Sequence, residues 1–443
     1  MKTKVLFWLL LPASMLAQSH FMGTNTSRRV GVIHSTLNPA ELSNLHNKVD
    51  IHLFGSSLIV SNNKLTFKDF FEDNVEERLF STEGNVNANV SAQFVGPGVA
   101  FKVNKWAFGA HVATNANIWM HQLNSPFIDA VINSDVLLAS TAINANGNQR
   151  FSGMSWGEIN LSISRVLLET EKHQFNAGIT GKLLFPGTFG NGGIQSLQGN
   201  INTIGGITYL SNATATINFA YSGILAEDFN NSSNYTKSMF GGFNGFGVDL
   251  GVTYSYKKDN KTYLKAGASV RNIGTMTFKN DNNSNRTWLF NSNNSGDPNG
   301  LNLNQFSGVS SLEELEQLLI NSGTLTPQSN TNEVKVSLPT ILNAYVQWDV
   351  TKNFLLDAYL QQSLHDQENN LQIANQNTFA LIPRLKFGSF EVSSPLAINQ
   401  DSNFTSGIGL RLGGFYLGSN SAITTLMNNS KVGDVYFGLQ FGF

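Results

Sequence analysis

From about residue 49 onward, apolar and polar residues alternate with a period of two. In residues 246–256 one face reads Phe246, Val248, Leu250, Val252, Tyr254 and Tyr256, and the other Gly247, Asp249, Gly251, Thr253 and Ser255. Residues 334–350 put Val334, Val336, Leu338, Thr340, Leu342, Ala344, Val346, Trp348 and Val350 on one face, with Lys335, Ser337, Asn343, Tyr345, Gln347 and Asp349 among those opposite. Ile159, Leu161 and Ile163 alternate with Glu158, Asn160, Ser162 and Ser164. This is the pattern of a strand between two different surroundings. Runs of about nine residues or more exceed the usual globular strand and match a tilted strand crossing a bilayer.

The connections alternate in length. Tight turns fall at Asn104-Lys105, 169–173, 258–261 and 351–353, and long polar segments at 62–85, 124–150, 223–244 and 279–332. Short turns at one end and long loops at the other are the layout of bacterial outer-membrane barrels. The expectation is an all-β, transmembrane antiparallel β-barrel of about 14 strands over residues 49–443, with 204–221 and 390–418 the least regular stretches. Gly413-Gly414 predicts a further hairpin between Leu412 and Phe415. Two helices are expected inside loops. One starts at the capping-box pattern Ser311-Leu312-Glu313-Glu314 and ends near Asn321-Ser322-Gly323; the other covers 68–80, with Phe70, Phe71, Val75 and Leu79 on one face. Both would cap the extracellular mouth.

Composition narrows the class. Hydrophobic residues make up 41% and charged residues only 13%, against about a quarter charged in ordinary soluble domains. A mean hydropathy of −0.12 does not fit a helical membrane protein and suits a barrel whose strands face lipid and lumen in turn. The net charge of −2 gives no electrostatic footprint for nucleic acid. With no cysteine, disulfides, thiolate metal sites and cysteine nucleophiles are excluded.

Residues 1–17 read as a signal peptide: Lys2 and Lys4 precede an apolar stretch and the small-residue segment Ala13-Ser14-Met15-Leu16-Ala17. Its apolar run is too short to span a membrane of about 30 Å. Residues 435–443 form an amphipathic strand with Val435, Phe437, Leu439, Phe441 and Phe443 on one face. Phe437, Phe441 and Phe443 are the expected barrel-closing signal, read by the barrel-assembly machinery as the protein inserts. Trp106, Phe108, Tyr254, Tyr256, Trp348 and Phe354 lie beside the tight turns, where an interfacial aromatic girdle belongs. Trp156, Tyr345 and Tyr359 fall on the inward face.

Residues 18–48 precede the first strand. They include Gly31-Val32-Ile33-His34-Ser35-Thr36-Leu37-Asn38-Pro39-Ala40-Glu41-Leu42. The step Asn38, Pro39, Ala40 resembles the N-terminal hatch of the FadL-type outer-membrane barrels and of their PorV-like relatives. Segments 246–251, 267–274 and Ser337-Leu338-Pro339-Thr340 are similar to the PorV branch. The resemblance covers most of the mature chain and points to an uncharacterised branch of that superfamily. It implies a barrel with 18–48 as a plug inside the lumen. A barrel of this size has room for one, since wall side chains cannot fill it. Arg28, Arg29 and Glu41 would then pair with charges such as Glu158, Arg165, Asp249, Arg271 or Asp357.

Other chemistry is weakly supported. Gly153-Met154-Ser155-Trp156-Gly157 fits the pattern of a nucleophile elbow, but such an elbow needs a strand, a sharp turn and a helix, and here an alternating strand follows. His20, His34, His46 and His52 lack the spacing of a metal site. Gly187–Gly193 and Gly241–Gly247 lack the lysine and helix of a phosphate loop. No catalytic residue, metal ligand or cofactor site is expected.

Gly96, Pro97 and Gly98 mark an expected strand kink, because proline cannot donate to the ladder and glycine suits a bulge. The reading is a non-enzymatic barrel in the outer membrane of a Gram-negative bacterium, in contact with its lipid, that passes hydrophobic or small molecules along a path past the plug. The alternative is an accessory, PorV-like barrel with a sealed lumen and a secretion-complex protein as partner. A structural or adhesive barrel ranks third.

Overall fold

The computed structural model describes residues 20–72, 75–80, 84–132, 140–224, 240–259, 261–366, 368–373, 375–427 and 430–443. The signal-peptide segment 1–17 lies outside these residues.

The strands run in chain order as β1 (Val49–Asn62), β2 (Asn85–Val103), β3 (Trp106–Asn124), β4 (Thr141–Glu169), β5 (His173–Ile204), β6 (Ile207–Ser222), β7 (Gly245–Lys258), β8 (Lys261–Phe278), β9 (Ser284–Asn291), β10 (Leu301–Asn302) and β11 (Leu325–Thr331). They continue as β12 (Val334–Ser337), β13 (Ile341–Asp349), β14 (Phe354–Ser363), β15 (Thr378–Phe387), β16 (Phe390–Ser393), β17 (Leu396–Asn399), β18 (Asn403–Ser406), β19 (Ile408–Leu412), β20 (Phe415–Ser419) and β21 (Val432–Gly442). Leaving aside β6 and β9 to β11, which lie beyond the wall, and taking β12 with β13, β16 with β17 and β18 with β19 as interrupted strands, the ladder closes as a 14-strand antiparallel barrel when β21 pairs with β1. Closure leaves no open edge at the membrane, as a bilayer requires. The turns at 104–105, 170–172 and 351–353, and the connection from β7 to β8, lie at the end taken as periplasmic, and Leu412 pairs with Phe415 across the Gly413 turn.

Outward positions are apolar and exposed, among them Leu161, Ile179, Leu250, Leu381, Leu410 and Phe437, while Asn160, Thr180, Asp249 and Tyr436 on the inward face are buried. Trp106, Tyr254 and Trp348 are exposed near the tight turns, and Arg165, rather than meeting a lumen charge, stacks over the Trp106 ring at 4.8 Å.

Three expectations are corrected. The run 334–350 is not one strand: it breaks between β12 and β13, at Leu338-Pro339-Thr340. Proline withdraws a donor, and the break reverses the faces. Val334, Val336 and Leu338 pack inward with Met154, Trp156 and Ile373, whereas Val346 and Trp348 face out and are exposed. The segment 68–80 is not one helix either, but a 3-10 turn (Phe67–Phe71) and a separate helix (Val75–Phe80). Finally, the long segments 124–150 and 279–332 are not only loops. They contain a helix (Ser125–Ile132), the outer part of β4, and β9 to β11.

β5 accounts for that last difference. Its residues 173–183 pair with β7 in the wall, but residues 189–204 leave the barrel and pair with β6. β6 pairs with β9, and β9 with β11. Residues 188–201 of β5 keep β4 as their other neighbour, so β6, β9, β10 and β11 extend the one continuous sheet beyond the extracellular end of the wall.

Residues 20–47 fill the lumen with two short helices (Met22–Asn25 and Val32–Ser35) and a 3-10 turn (Pro39–Asn44). Their apolar side chains meet the wall at three places: Met22 and Leu37 with Tyr345, Tyr359 and Ile382; Val30, Val32, Leu42 and Leu45 with Ala100 and Ala107; Phe21 and Ile33 with Val95, Tyr416 and Tyr436.

Candidate functional site

The plug is seated through Asn38. Its side chain caps the 3-10 turn by accepting the Ala40 N–H at 3.0 Å, the role asparagine favours at a helix start. Its amide nitrogen also donates to Val252 O (3.0 Å), Ala268 O (3.2 Å) and Tyr345 Oη (3.2 Å). Pro39 holds the first turn position, where its missing donor is harmless. The wall makes room with glycine. A Cβ on Gly178 would lie 2.5 Å from Ala40 N, and one on Gly251 would lie 2.0 Å from Asn38 Oδ1.

Glu41 follows and is buried. Lys265 Nζ stands 2.8 Å from its carboxylate, Tyr345 Oη donates to the same group, and Asn44 donates at 2.9 Å. Burial pushes the Glu41 carboxyl up, but Lys265 and these donors overcome it and hold the group at about 2. The other plug ions pair with residues the sequence did not suggest: Arg28 with Asp349 at 2.6 Å and Arg29 with Glu391 at 3.9 Å. Of the suggested lumen charges, Asp357 pairs instead with Arg384 at 3.0 Å. Arg384 also donates to Gly23 O at 2.8 Å and to Thr26 Oγ1 at 2.9 Å.

Above the plug lies a small polar chamber of about 80 Å³. Lys182 stands between Glu158 (3.5 Å) and Asp249 (3.2 Å), and Arg271 reaches Asp249 at 3.8 Å. On the outer side Asn375 and Gln376 line the chamber, beside the described residues 368–373. Arg150, fully buried, donates to Gln372 O at 3.0 Å, and Asn370 accepts from Asn148 and Asn191. The chamber between the plug and these outer residues is lined mainly by polar side chains.

Gly96, Pro97 and Gly98 fall at an irregularity. β2 pairs with β3 through Val95↔Ala113 and then Gly98↔His111, a register shift, and the facing stretch of β1 is irregular against β21 between His52 and Phe54. His52 bridges the gap to Gly96 O at 3.3 Å and to Tyr416 Oη at 3.1 Å. A Cβ on Gly98 would lie 3.0 Å from Val32 of the plug, so the plug packs against the irregular stretch.

An apolar cavity of about 420 Å³ lies at the extracellular end. Among its lining residues only Gln149 and Ser311 carry polar side chains. Strand alternation shows which side of the wall it occupies. On β5, Asn191 and Gly193 meet Asn370 of the inner loop, whereas Gly190 and Gly192 face Leu312. Phe151 and Phe219 are the cross-strand partners of Gly192 and line the cavity with Met120, Ile217 and Phe290. The cavity therefore lies on the face continuous with the lipid-facing residues, not in the lumen.

A helix (Leu312–Asn321) covers the cavity. Ser311 caps it by accepting the Glu314 N–H at 3.0 Å, and Gly323 adopts the left-handed conformation just beyond its end. Leu312, Leu315 and Leu319 recur at helical spacing and face the cavity. Glu316, fully buried, fastens the helix to the sheet. Its carboxylate accepts from Trp288 Nε1 (2.7 Å), Arg286 (3.0 Å) and Tyr221 Oη (3.1 Å). A buried carboxylate is tolerated only with this degree of pairing. Gln149 supplies an amide at the cavity margin: its Oε1 accepts from Asn124 N at 2.7 Å, and its Nε2 has no hydrogen-bond partner among the described residues.

Ser155 lies buried within β4, which runs without a turn through Gly153–Gly157, so no nucleophile elbow forms there. The N-terminal histidines separate. His20 meets Ser57 and Ser91, His34 stays within the plug, and His52 meets Tyr416. The sequence reading missed Lys265, Tyr345 as a plug contact, Glu316 and the apolar cavity. The leucine spacing at 312–319 was the available signal for the last.

No curated protein matches the chain. Three solved structures are similar to the chain at low identity. A TodX mutant, a monoaromatic hydrocarbon channel, has 11% identity and a TM-score of 0.47, over 93% of this chain and 95% of that one. The toluene transporter TbuX of Ralstonia pickettii has 11% identity and a TM-score of 0.43, over 94% of each chain. CymD, a monoaromatic hydrocarbon channel, has 12% identity and a TM-score of 0.44, again over 94% of each. A family model covers far more than half of the sequence. Matching that model over residues 39–420, the chain belongs to DUF5723, a family of unknown function.

Proposed function

We propose that this protein is a non-enzymatic barrel of the Gram-negative outer membrane that captures small hydrophobic molecules at its extracellular end and passes them on. The observation that carries the reading is the apolar cavity beneath the helix Leu312–Asn321. Its volume of about 420 Å³ falls within the range of small-molecule pockets, which are mostly apolar with few polar groups. Because the cavity is on the membrane-side face and the lumen chamber is polar, release toward the bilayer is favoured over descent through the barrel. The accessory-barrel alternative has no observation of its own in its favour.

The test is binding of a hydrophobic fluorophore such as N-phenyl-1-naphthylamine to the barrel in lipid nanodiscs, with and without Ala215→Trp. Ala215 lines the cavity, and the indole would fill it. Saturable binding that the substitution lowers at least about tenfold supports the proposal. Binding equal in both proteins, or none beyond that of empty nanodiscs, overturns it.

A further inference from the structure

The periplasmic end carries a feature that the capture of apolar molecules does not use. Below the plug is an open vestibule of about 500 Å³. Arg28, Lys102, Lys261, Lys265, Lys352 and Lys386 line it, in a chain whose net charge is −2. Asp349 offsets Arg28 at 2.6 Å, and Glu41 offsets Lys265 at 2.8 Å. Lys102 donates to Ser43 O at 2.8 Å. Among the described residues, no carboxylate is within ion-pair distance of Lys261, Lys352 or Lys386. The lining therefore keeps an excess of four positive charges (six cations less two carboxylates), concentrated in a concave site that focuses their field.

We infer that the vestibule docks an acidic segment of a periplasmic protein. Charge complementarity sets the sign, and topology sets the kind of ligand. Lys102 belongs to β2, Lys261 opens β8, Lys352 is in the turn between β13 and β14, and Lys386 is on β15. In barrel order these are the second, seventh, eighth-to-ninth and tenth strands, so the cations face each other across the opening. Cations set on separate strands around the opening suit an extended chain with several carboxylates better than one phosphate or carboxylate. Lysine suits such a ligand, being a mobile point charge without the fixed fork of arginine. The ceiling is the plug itself, through Ser43, Asn44, Leu45 and His46, so a segment bound there touches the element that closes the barrel.

The experiment uses the full barrel in phosphatidylcholine nanodiscs and a fluorescein-labelled oligoglutamate, read by anisotropy at fixed ionic strength. The triple variant Lys261→Gln, Lys352→Gln, Lys386→Gln should bind about tenfold more weakly, as three screened contacts predict. Lys335→Gln, on β12 toward the opposite end, should leave affinity unchanged. These lysines sit at strand ends or in turns, and heat-modifiable gel mobility confirms that each variant is folded. Equal affinity in the triple variant overturns the inference, as does an equal loss in the Lys335 control. Displacement by millimolar inorganic phosphate at constant ionic strength would make the vestibule a small-anion site and also overturns it.

Discussion

Glu41 of the plug and Lys265 of the wall are 2.8 Å apart and both buried, which makes the plug an ionic partner of the barrel and not merely its filling. Removing one member of a buried pair leaves the other charge without compensation, at a cost of about 3–5 kcal/mol. Glu41→Gln should therefore loosen residues 20–47 without unfolding the barrel, because no strand hydrogen bond is lost. Hydrogen exchange should rise in the plug and stay unchanged in β1 and β21. Equal exchange in both proteins would remove Glu41 from the seat.

Acid should weaken the plug through His34 before it reaches Glu41. His34 Nδ1 accepts the Gly31 N–H at 3.1 Å, so the proton sits on Nε2, which donates to Ser27 O at 3.0 Å. Both nitrogens are satisfied only in the neutral ring. Burial, aided by the Arg411 charge, pushes the group from 6.5 down to about 3. A histidine lowered on folding contributes stability that is present above its unfolded value and lost as pH falls. That loss should run from about 6.5 toward 3. Glu41, lowered from 4.5 to about 2, adds a second loss only below about 4.5. The protection of plug amides, with the intrinsic pH dependence of exchange divided out, should start falling near 6.5 between pH 8 and pH 4. Burial lowers His20 and His46 from 6.5 as well, so His34→Gln is made in a chain where both are already glutamine, and it should shift the onset downward. An onset unmoved by the substitution would assign it elsewhere.

Gly178 and Gly251 pair directly across β5 and β7 and face the Asn38-Pro39-Ala40 step. Gly178→Val places a Cβ against backbone, 2.5 Å from Ala40 N, where nothing can swing aside. Overpacking of this kind costs about 1–3 kcal/mol. The expected outcome is a folded barrel whose residues 20–47 become accessible to protease added from the periplasmic side. Unchanged protection would show that the wall can yield there.

Glu316 controls the cover of the apolar cavity. Glu316→Gln keeps one acceptor oxygen where two accepted, so its amide nitrogen faces donors: either Trp288, or Arg286 and Tyr221, loses its acceptor, and the contacts that remain are neutral. A loss of about 1.5–3 kcal/mol is expected at this contact. Bound hydrophobic fluorophore should then leave at least about tenfold faster, while heat-modifiable mobility of the barrel stays normal. Stopped-flow release measures this, and an unchanged rate would separate the helix from control of the cavity.

Much of this architecture was legible in order because it depends on neighbours in the chain. Period-two alternation marked most of the wall strands, the tight turns marked one end, Ser311 and Glu314 marked the start of a helix, and Gly413 marked a hairpin. Each of these signals spans only a few residues, and local backbone chemistry suffices to produce it. The alternation at 334–350 misled because a period continues in sequence across a break that reverses the chain's faces in space.

What the sequence by itself determined is that these residues form alternating strands fit to separate lipid from a polar interior, with a segment ahead of β1 that is not a strand. The tertiary structure decided which charges meet and which side of the wall holds the apolar cavity. Glu41 finds Lys265 across 224 residues, and the cavity gathers residues from Phe80 to Leu319. Those outcomes follow from ladder register and from the point where β5 leaves the wall. Both are set by barrel closure and not by any local preference.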